Sequence, residues 1–253
     1  MIGLVSLLKE IEGKPKAIFM AGPAGSGKSY ISSKLVPSNF TTINVDDTYE
    51  ELLKSSGIGM KLAQMSPDEL KKSGELMGQA RKATTQKYED AMKDAKNILI
   101  DSVGGSSKVL LKKKQQLEDL GYDTMMIMTY VSPITSLERN KQRDRSLLPS
   151  IVIRSWRDVN KNIDIYRQAF GDSFVLLNLD PESANKEFDE EYIYKTFIEP
   201  LGQIGKEKTP EEKAKSEKQK QEIYSDIKSS LENQPEFDTE EQSKTKIQNF
   251  INK

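Results

Sequence analysis

Gly22-Pro23-Ala24-Gly25-Ser26-Gly27-Lys28-Ser29 is a stretch whose residue types and spacing specify a chemistry. Glycine backbones reach angles closed to other residues and approach a ligand closely. Successive N–H groups in such a loop make a concavity for an anion, and a helix starting at its end points its positive pole at the same place. Lys28 then reaches the outer phosphates of a triphosphate, and Ser29 offers its hydroxyl to a cation. The apolar run Ile18-Phe19-Met20-Ala21 enters the loop and a helical pattern leaves it. That context separates a phosphate-binding loop from a glycine turn with an incidental lysine. The ligands expected are a nucleoside triphosphate, ATP above all, and Mg2+.

Two carboxylate positions suit the same chemistry. Ile98-Leu99-Ile100-Asp101 is a short strand ending in Asp101, placed to hold magnesium beside Ser29. Ser102, Gly104 and Gly105 follow it, at the strand end where open α/β sheets bind ligands, and Gly104 is a candidate substrate contact. Ile43-Asn44-Val45-Asp46-Asp47 ends another strand with a carboxylate pair. The chain has no histidine, so a base that takes a proton from an acceptor hydroxyl is most naturally an aspartate. Asp46, directly off the strand, is the candidate base. Asp47 is a candidate substrate contact and equally suits the N-cap of the next helix.

Leu137-Glu138-Arg139-Asn140-Lys141-Gln142-Arg143-Asp144-Arg145 carries three arginines. Arg139 and Arg143, four apart, would share one face of a helix. A guanidinium pair there would stabilise the charge that develops on a transferring phosphoryl group. The alternative is a solvated basic face paired with Glu138 and Asp144. Arg81, inside an apolar helical stripe, either reaches the acceptor cleft or extends to water. Arg154 and Arg157 flank Trp156 and read as surface or nucleotide-edge residues.

Elements that must position these groups are also legible. Five strand-sized apolar runs, 16–21, 40–45, 97–100, 124–131 and 173–179, alternate with helical stretches, the mark of βαβ units and a parallel sheet with helices on both faces. Ser66-Pro67-Asp68-Glu69 is a capping box that starts a helix running to about Ala95, with Leu70, Met77, Ala80, Thr84, Tyr88, Ala91 and Ala95 on one stripe. Ser132-Pro133 starts another. Ser150 starts a third, with Val152, Trp156, Val159, Ile163, Tyr166 and Phe170 on one face and Gly171 as its C-terminal cap. A short amphipathic helix is expected over 1–10 and a last one over 190–198.

Of the 253 residues 30% are charged, yet the net charge is −1, so no global field points to nucleic acid or an anionic membrane. Without cysteine or histidine, disulfides, Cys/His zinc sites and Ser–His or Cys–His nucleophiles are excluded. Any metal must be a hard cation on oxygen ligands. No apolar run is long enough to span a membrane, and the chain reads as soluble and cytoplasmic. Beyond about residue 205, lysines mix with acidic residues and apolar side chains become sparse. Helical patterns over 211–231 and 239–251 fit a solvated, partly helical tail with too little apolar surface to complete a core, or a docking arm for a protein partner.

The order of motifs resembles a clan of P-loop kinases. The phosphate loop comes first, then strand-Asp-Asp, strand-Asp, and a strand followed by Leu-Glu-Arg-Asn-Lys-Gln-Arg-Asp-Arg and a Trp-bearing helix. The clan contains the zeta-toxin kinases and the phage-type polynucleotide 5′-hydroxyl kinases, and the resemblance spans residues 15–180 or so. It implies a five-stranded parallel sheet in the order 2-3-1-4-5, Asp46 as base, and Arg139 and Arg143 as lid arginines. Three residues after the base, where polynucleotide kinases carry an arginine for the acceptor phosphate, this chain has Tyr49. On this reading residues 1–205 form the kinase domain and 206–253 the tail. The function expected is transfer of a γ-phosphoryl group to a hydroxyl of a nucleic acid 5′-end, a UDP-amino sugar or a small metabolite. The alternative is a P-loop switch that acts through its tail.

Overall fold

The computed structural model describes residues 13–60, 65–143, 146–181 and, with gaps, 217–252. The expected helices over 1–10 and 190–198 lie outside the described residues, as do Asp144 and Arg145 and part of the 211–231 pattern.

Five strands form one parallel sheet: β1 (Lys16–Ala21), β2 (Thr41–Ile43), β3 (Ile98–Asp101), β4 (Asp123–Tyr130) and β5 (Phe174–Asn178), in the order β2-β3-β1-β4-β5. Every pairing is parallel, with Ala17 opposite both Ile98 and Thr124. β1 is buried along its whole length, as a central strand covered on both faces must be. Its side chains alternate between two cores. Ala17, Phe19 and Ala21 join Tyr88, Leu110, Trp156, Tyr166 and Phe170. Ile18 and Met20 join Ile31, Phe40, Val175, Ile247 and Phe250.

The first core is roofed by α3 (Pro67–Lys93), α4 (Ser107–Asp119), α6 (Pro149–Asn160) and α7 (Ile163–Phe170). The second is roofed by α1 (Lys28–Leu35) and α8 (Glu240–Asn252). α2 (Val45–Ser55) and α5 (Pro133–Lys141) lie beside the loops at the carboxyl ends of the strands. The capping box at Ser66 and Glu69 is formed as expected. The buried face of α3 departs from the predicted stripe at its ends. Leu70 is exposed, while Ser73 and Leu76 turn inward to meet Tyr49 and Leu53 of α2. Ala95 lies past the helix end in a left-handed conformation.

The single helix expected from Ser150 to Gly171 is two helices. Leu148, not Ser150, caps the first, and Pro149 takes its first turn. The break falls at Asn162, whose side-chain amide donates to the carbonyls of Asp158 (2.7 Å) and Gly105 (3.1 Å). The apolar stripe runs unbroken across it, so periodicity alone did not reveal the turn. Gly171 is the C-terminal cap, with φ 51°.

The charged C-terminal stretch is not wholly outside the core. Phe237 packs on Tyr130, the Asp238 carboxylate accepts from the backbone of Leu176, and Lys246 donates to the carbonyl of Phe174. Ile247 and Phe250 are buried against the second face of the sheet. These two apolar anchors, at i and i+3, share one face of α8. Phe250→Ala is expected to cost about 3 kcal/mol, the scale of a buried phenylalanine truncation. Urea unfolding reads it as a lower midpoint at unchanged slope. An unchanged midpoint would mean that α8 is not part of the cooperative unit.

Candidate active site

The phosphate loop has the conformation its glycines permit. Gly25 and Gly27 have φ of 77° and 85°, and a side chain at Gly22 would meet Thr129 Oγ1 at 2.3 Å. Thr129, near the end of β4, shares a 2.7 Å hydrogen bond with the Ser26 hydroxyl, and the Ser136 hydroxyl donates to the Ala24 carbonyl. β4 and α5 thus grip the loop from behind, leaving Ala24–Ser29 along one wall of a cleft of about 770 Å³. Gly22 and Pro23 do not line the cleft; their carbonyls accept from Lys28 Nζ at 2.7 and 3.3 Å.

Asp101 ends β3 directly beside the loop, since β3 pairs with β1. Asn44 Nδ2 donates to its Oδ2 at 3.1 Å, while its Oδ1 is buried with no hydrogen-bond partner. Burial pushes the Asp101 carboxyl up and the Lys28 ammonium down, and each holds the other toward its charged form.

Asp46 and Asp47 line the same cleft, but they do not extend from the strand. β2 stops at Ile43, Asn44 is the N-cap, and both aspartates sit in the first turn of α2. The Asn44 side chain accepts from the backbone N–H of Asp46 at 2.8 Å, so Asn44, not Asp47, is the cap. Carboxylates in a first turn are stabilised by the helix dipole. Glu50, one turn on, also lines the cleft. Burial, then Glu50 and Asp46, push the Asp47 carboxyl up.

The arginines reach the cleft by different means. α5 stops at Lys141, so Arg139 is helical and Arg143 lies beyond the end in a bend. The expectation that one helix face carries both is corrected, because Gln142 already caps the helix. Arg139 donates to the carbonyls of Gly25 (3.2 Å) and Leu179 (2.9 Å), bracing the phosphate loop against the end of β5. Arg143 is exposed on the cleft, and its charge acts on both Lys28 and Asp101.

Two candidate contacts do not line the cleft. Arg81 points to solvent from α3, because Ala80 and Thr84 occupy the buried face. Gly104 is buried, with φ 76°, and an added Cβ would stand 2.7 Å from the Ala21 Cβ. Its carbonyl accepts from the Tyr166 hydroxyl at 2.6 Å, so Gly104 packs the β3 loop and Gly105 faces the cleft instead. Sequence reasoning passed over Asn44 and Glu50, and left Arg154 open. The Asn-x-Asp pattern before a helix was the available signal for Asn44. Glu50 follows from helical spacing after Asp46, but Arg154 enters the cleft only through the fold of α6.

No curated protein sequence matches the chain. Among solved structures, a chain of the AvrRxo1-ORF1:AvrRxo1-ORF2 complex with sulphate ions aligns with a TM-score of 0.55 at 14% identity, over 88% of this chain and 82% of that one. The complex with ATP gives 0.55 at 13% identity, with the same coverage. A structure of the PezAT chromosomal toxin-antitoxin system of Streptococcus pneumoniae aligns at 0.42 and 14% identity, over 85% and 87%. The first two show a shared fold. Among the described residues no helix is long and apolar enough to cross a membrane. The Zeta toxin family profile matches residues 6–173, two thirds of the chain and nearly all the elements that build the cleft. With the 2-3-1-4-5 sheet and the phosphate loop at its centre, this chain belongs to the Zeta toxin family and is built as a P-loop phosphotransferase.

Proposed function

We propose that this protein transfers the γ-phosphoryl group of ATP to a hydroxyl of an acceptor molecule, with magnesium as the bound cation. The observation that carries the reading is the convergence of Lys28, Asp46, Asp101 and Arg143 on one cleft beside the phosphate loop, near enough that the Lys28 ammonium responds to all three of the others. The ATP of the structurally similar AvrRxo1 complex is consistent with it.

In this reading the backbone of Ala24–Lys28 cradles the phosphates, and Lys28 neutralises the β–γ end. The residues present fit magnesium. Asp101 Oδ1 is buried and unpartnered, and the Ser29 hydroxyl lines the same cleft, so both donors are hard oxygens. The ion would supply positive charge against the phosphate oxygens. Asp46 accepts the proton of the acceptor hydroxyl as the new oxygen–phosphorus bond forms and the bond to the β-phosphate oxygen breaks, so ADP leaves and the proton stays on the carboxyl. Arg143 meets the charge on the transferring group, and Arg139 holds the loop in register. Arg154 adds a third guanidinium on the cleft.

Labelled ATP offered to a panel of hydroxyl compounds tests the reading, scored for labelled product and not for ATP loss. ATP loss without any labelled acceptor would point to a switch instead. Asp101→Asn should weaken nucleotide binding and transfer together and raise the magnesium requirement. Unchanged magnesium dependence would remove Asp101 from the ion.

A further inference from the structure

α6 borders two cavities. Its Arg154 and Asp158 line the phosphate cleft and also a second cavity of about 760 Å³, walled by α6, α7, the end of β4 and the chain ahead of α8. That size is in the range of small-ligand sites. Lys28, Asp46, Asp101 and the phosphate loop do not line it, so it is a separate place on the molecule.

Two side chains of its walls carry oxygens with no partner. Tyr130 is 1% exposed, and its Oη is buried without a hydrogen bond. Asn160 Oδ1 is buried in the same state. Both stand beside Trp156: the Asn160 amide donates to the Trp156 carbonyl at 2.8 Å, and the Tyr130 ring meets the indole edge-on at 6.4 Å. The indole N–H is already committed to the Val131 carbonyl at 2.8 Å. Burial and the charge of Asp180 push the Tyr130 hydroxyl up, so it keeps its proton at neutral pH and can donate. Asn160 Oδ1 can only accept. Buried polar atoms left unpaired are costly, and native folds pair nearly all of them. A ligand that meets both must carry an acceptor and a donor.

The charges of the cavity are unevenly satisfied. Lys161 pairs with Asp158 at 2.6 Å, and Arg167 donates to the Glu236 carbonyl at 2.9 Å. Asp164 and Glu236 are exposed. Arg154 has neither hydrogen bond nor ion pair among the described residues. A phosphate there would gain charge-assisted hydrogen bonds. Trp156, Ile163 and Pro235 add an apolar wall. Inorganic phosphate would meet Arg154 but leave both oxygens unpaired, and a sugar phosphate would leave the apolar wall without a partner. A nucleobase carries an acceptor and a donor on its pairing edge and a flat face for apolar contact.

We infer that this cavity is a second nucleotide site, which takes a nucleoside monophosphate with its base edge on Tyr130 Oη and Asn160 Oδ1 and its phosphate at Arg154. The site adds to the phosphotransfer reading and does not depend on it.

The test uses the full chain with magnesium and a saturating non-hydrolysable ATP analogue, so that the phosphate cleft is already filled. Titration calorimetry then compares AMP, GMP, CMP and UMP with ribose 5-phosphate, which lacks a base, and with the four nucleosides, which lack the phosphate. At least one monophosphate should bind about tenfold or more tighter than ribose 5-phosphate and than its own nucleoside. Tyr130→Phe keeps the ring that packs on Trp156 and Phe237 and removes only the unpaired hydroxyl. It should weaken that monophosphate about tenfold, leave the affinity for the ATP analogue unchanged, and leave the melting temperature equal or higher, since no buried hydroxyl then lacks a partner. No monophosphate binding, ribose 5-phosphate binding as well as the best monophosphate, or full affinity in Tyr130→Phe would overturn the inference. So would a lower melting temperature in Tyr130→Phe accompanied by loss of the ATP analogue, which would make the hydroxyl structural.

Discussion

Asp46→Asn is expected to lower the rate of phosphoryl transfer by about 10²–10⁴, the usual worth of a general base, with nucleotide binding changed only a few-fold. The acceptor hydroxyl must lose its proton as it bonds to phosphorus, and no imidazole exists in the chain to receive it. Asparagine keeps the size of aspartate but has no basicity. Asp46 is exposed in the first turn of α2, and its backbone N–H, which donates to the Asn44 cap, stays in place in the variant. The split between transfer and binding has an electrostatic basis: among the carboxylates acting on Lys28, Asp101 outweighs Asp46. Losing Asp46 removes the smaller support of the phosphate-binding ammonium, whereas Asp101→Asn removes the larger one. Single-turnover transfer from labelled ATP, beside nucleotide titration of the same variant, separates the two. Normal transfer by Asp46→Asn, or a loss of binding as deep as that of Asp101→Asn, would take the base role away from it.

Arg143→Ala should cut turnover by about 10³ or more, as catalytic arginines do, with ATP affinity again within a few-fold. Arg143 is exposed on the cleft beyond the end of α5, so its removal leaves no hole in the core. Arg139→Ala should behave differently. It deletes the brace between Gly25 and Leu179, so nucleotide affinity and thermal stability should fall along with rate. Arg143→Lys should recover little, since an ammonium lacks the planar fork that meets two phosphoryl oxygens at once. Unchanged turnover in Arg143→Ala would return that residue to a solvated basic surface.

Chemistry carried by contiguous residues was legible in the chain itself. The phosphate loop, the strand before it and the helix after it are one run of sequence, and local geometry sets what they do: Gly25 and Gly27 take the left-handed angles that the spacing required. The five strands, the capping box at Ser66 and the cap at Gly171 were readable for the same reason, since apolar periodicity and caps are local codes. The sheet order came from the resemblance and was matched by the structure.

What required the tertiary structure was direction and company. Arg81 and Ala80 are neighbours in sequence, and only the packing of α3 on α2 decides which faces inward. Gly104 and Gly105 differ in role because Ala21 crowds one of them and not the other. Asn162 breaks a helix whose apolar stripe does not falter, through bonds to a loop some 57 residues away. α8 looks like a polar tail in isolation. It becomes part of the core because a parallel sheet has two apolar faces, and Ile247 and Phe250 pack on the second beside Ile31 of α1. The separation of carboxylates from arginines across the cleft arises the same way: each charge is written locally, but the side of the phosphate loop on which it stands is set by the order of the strands.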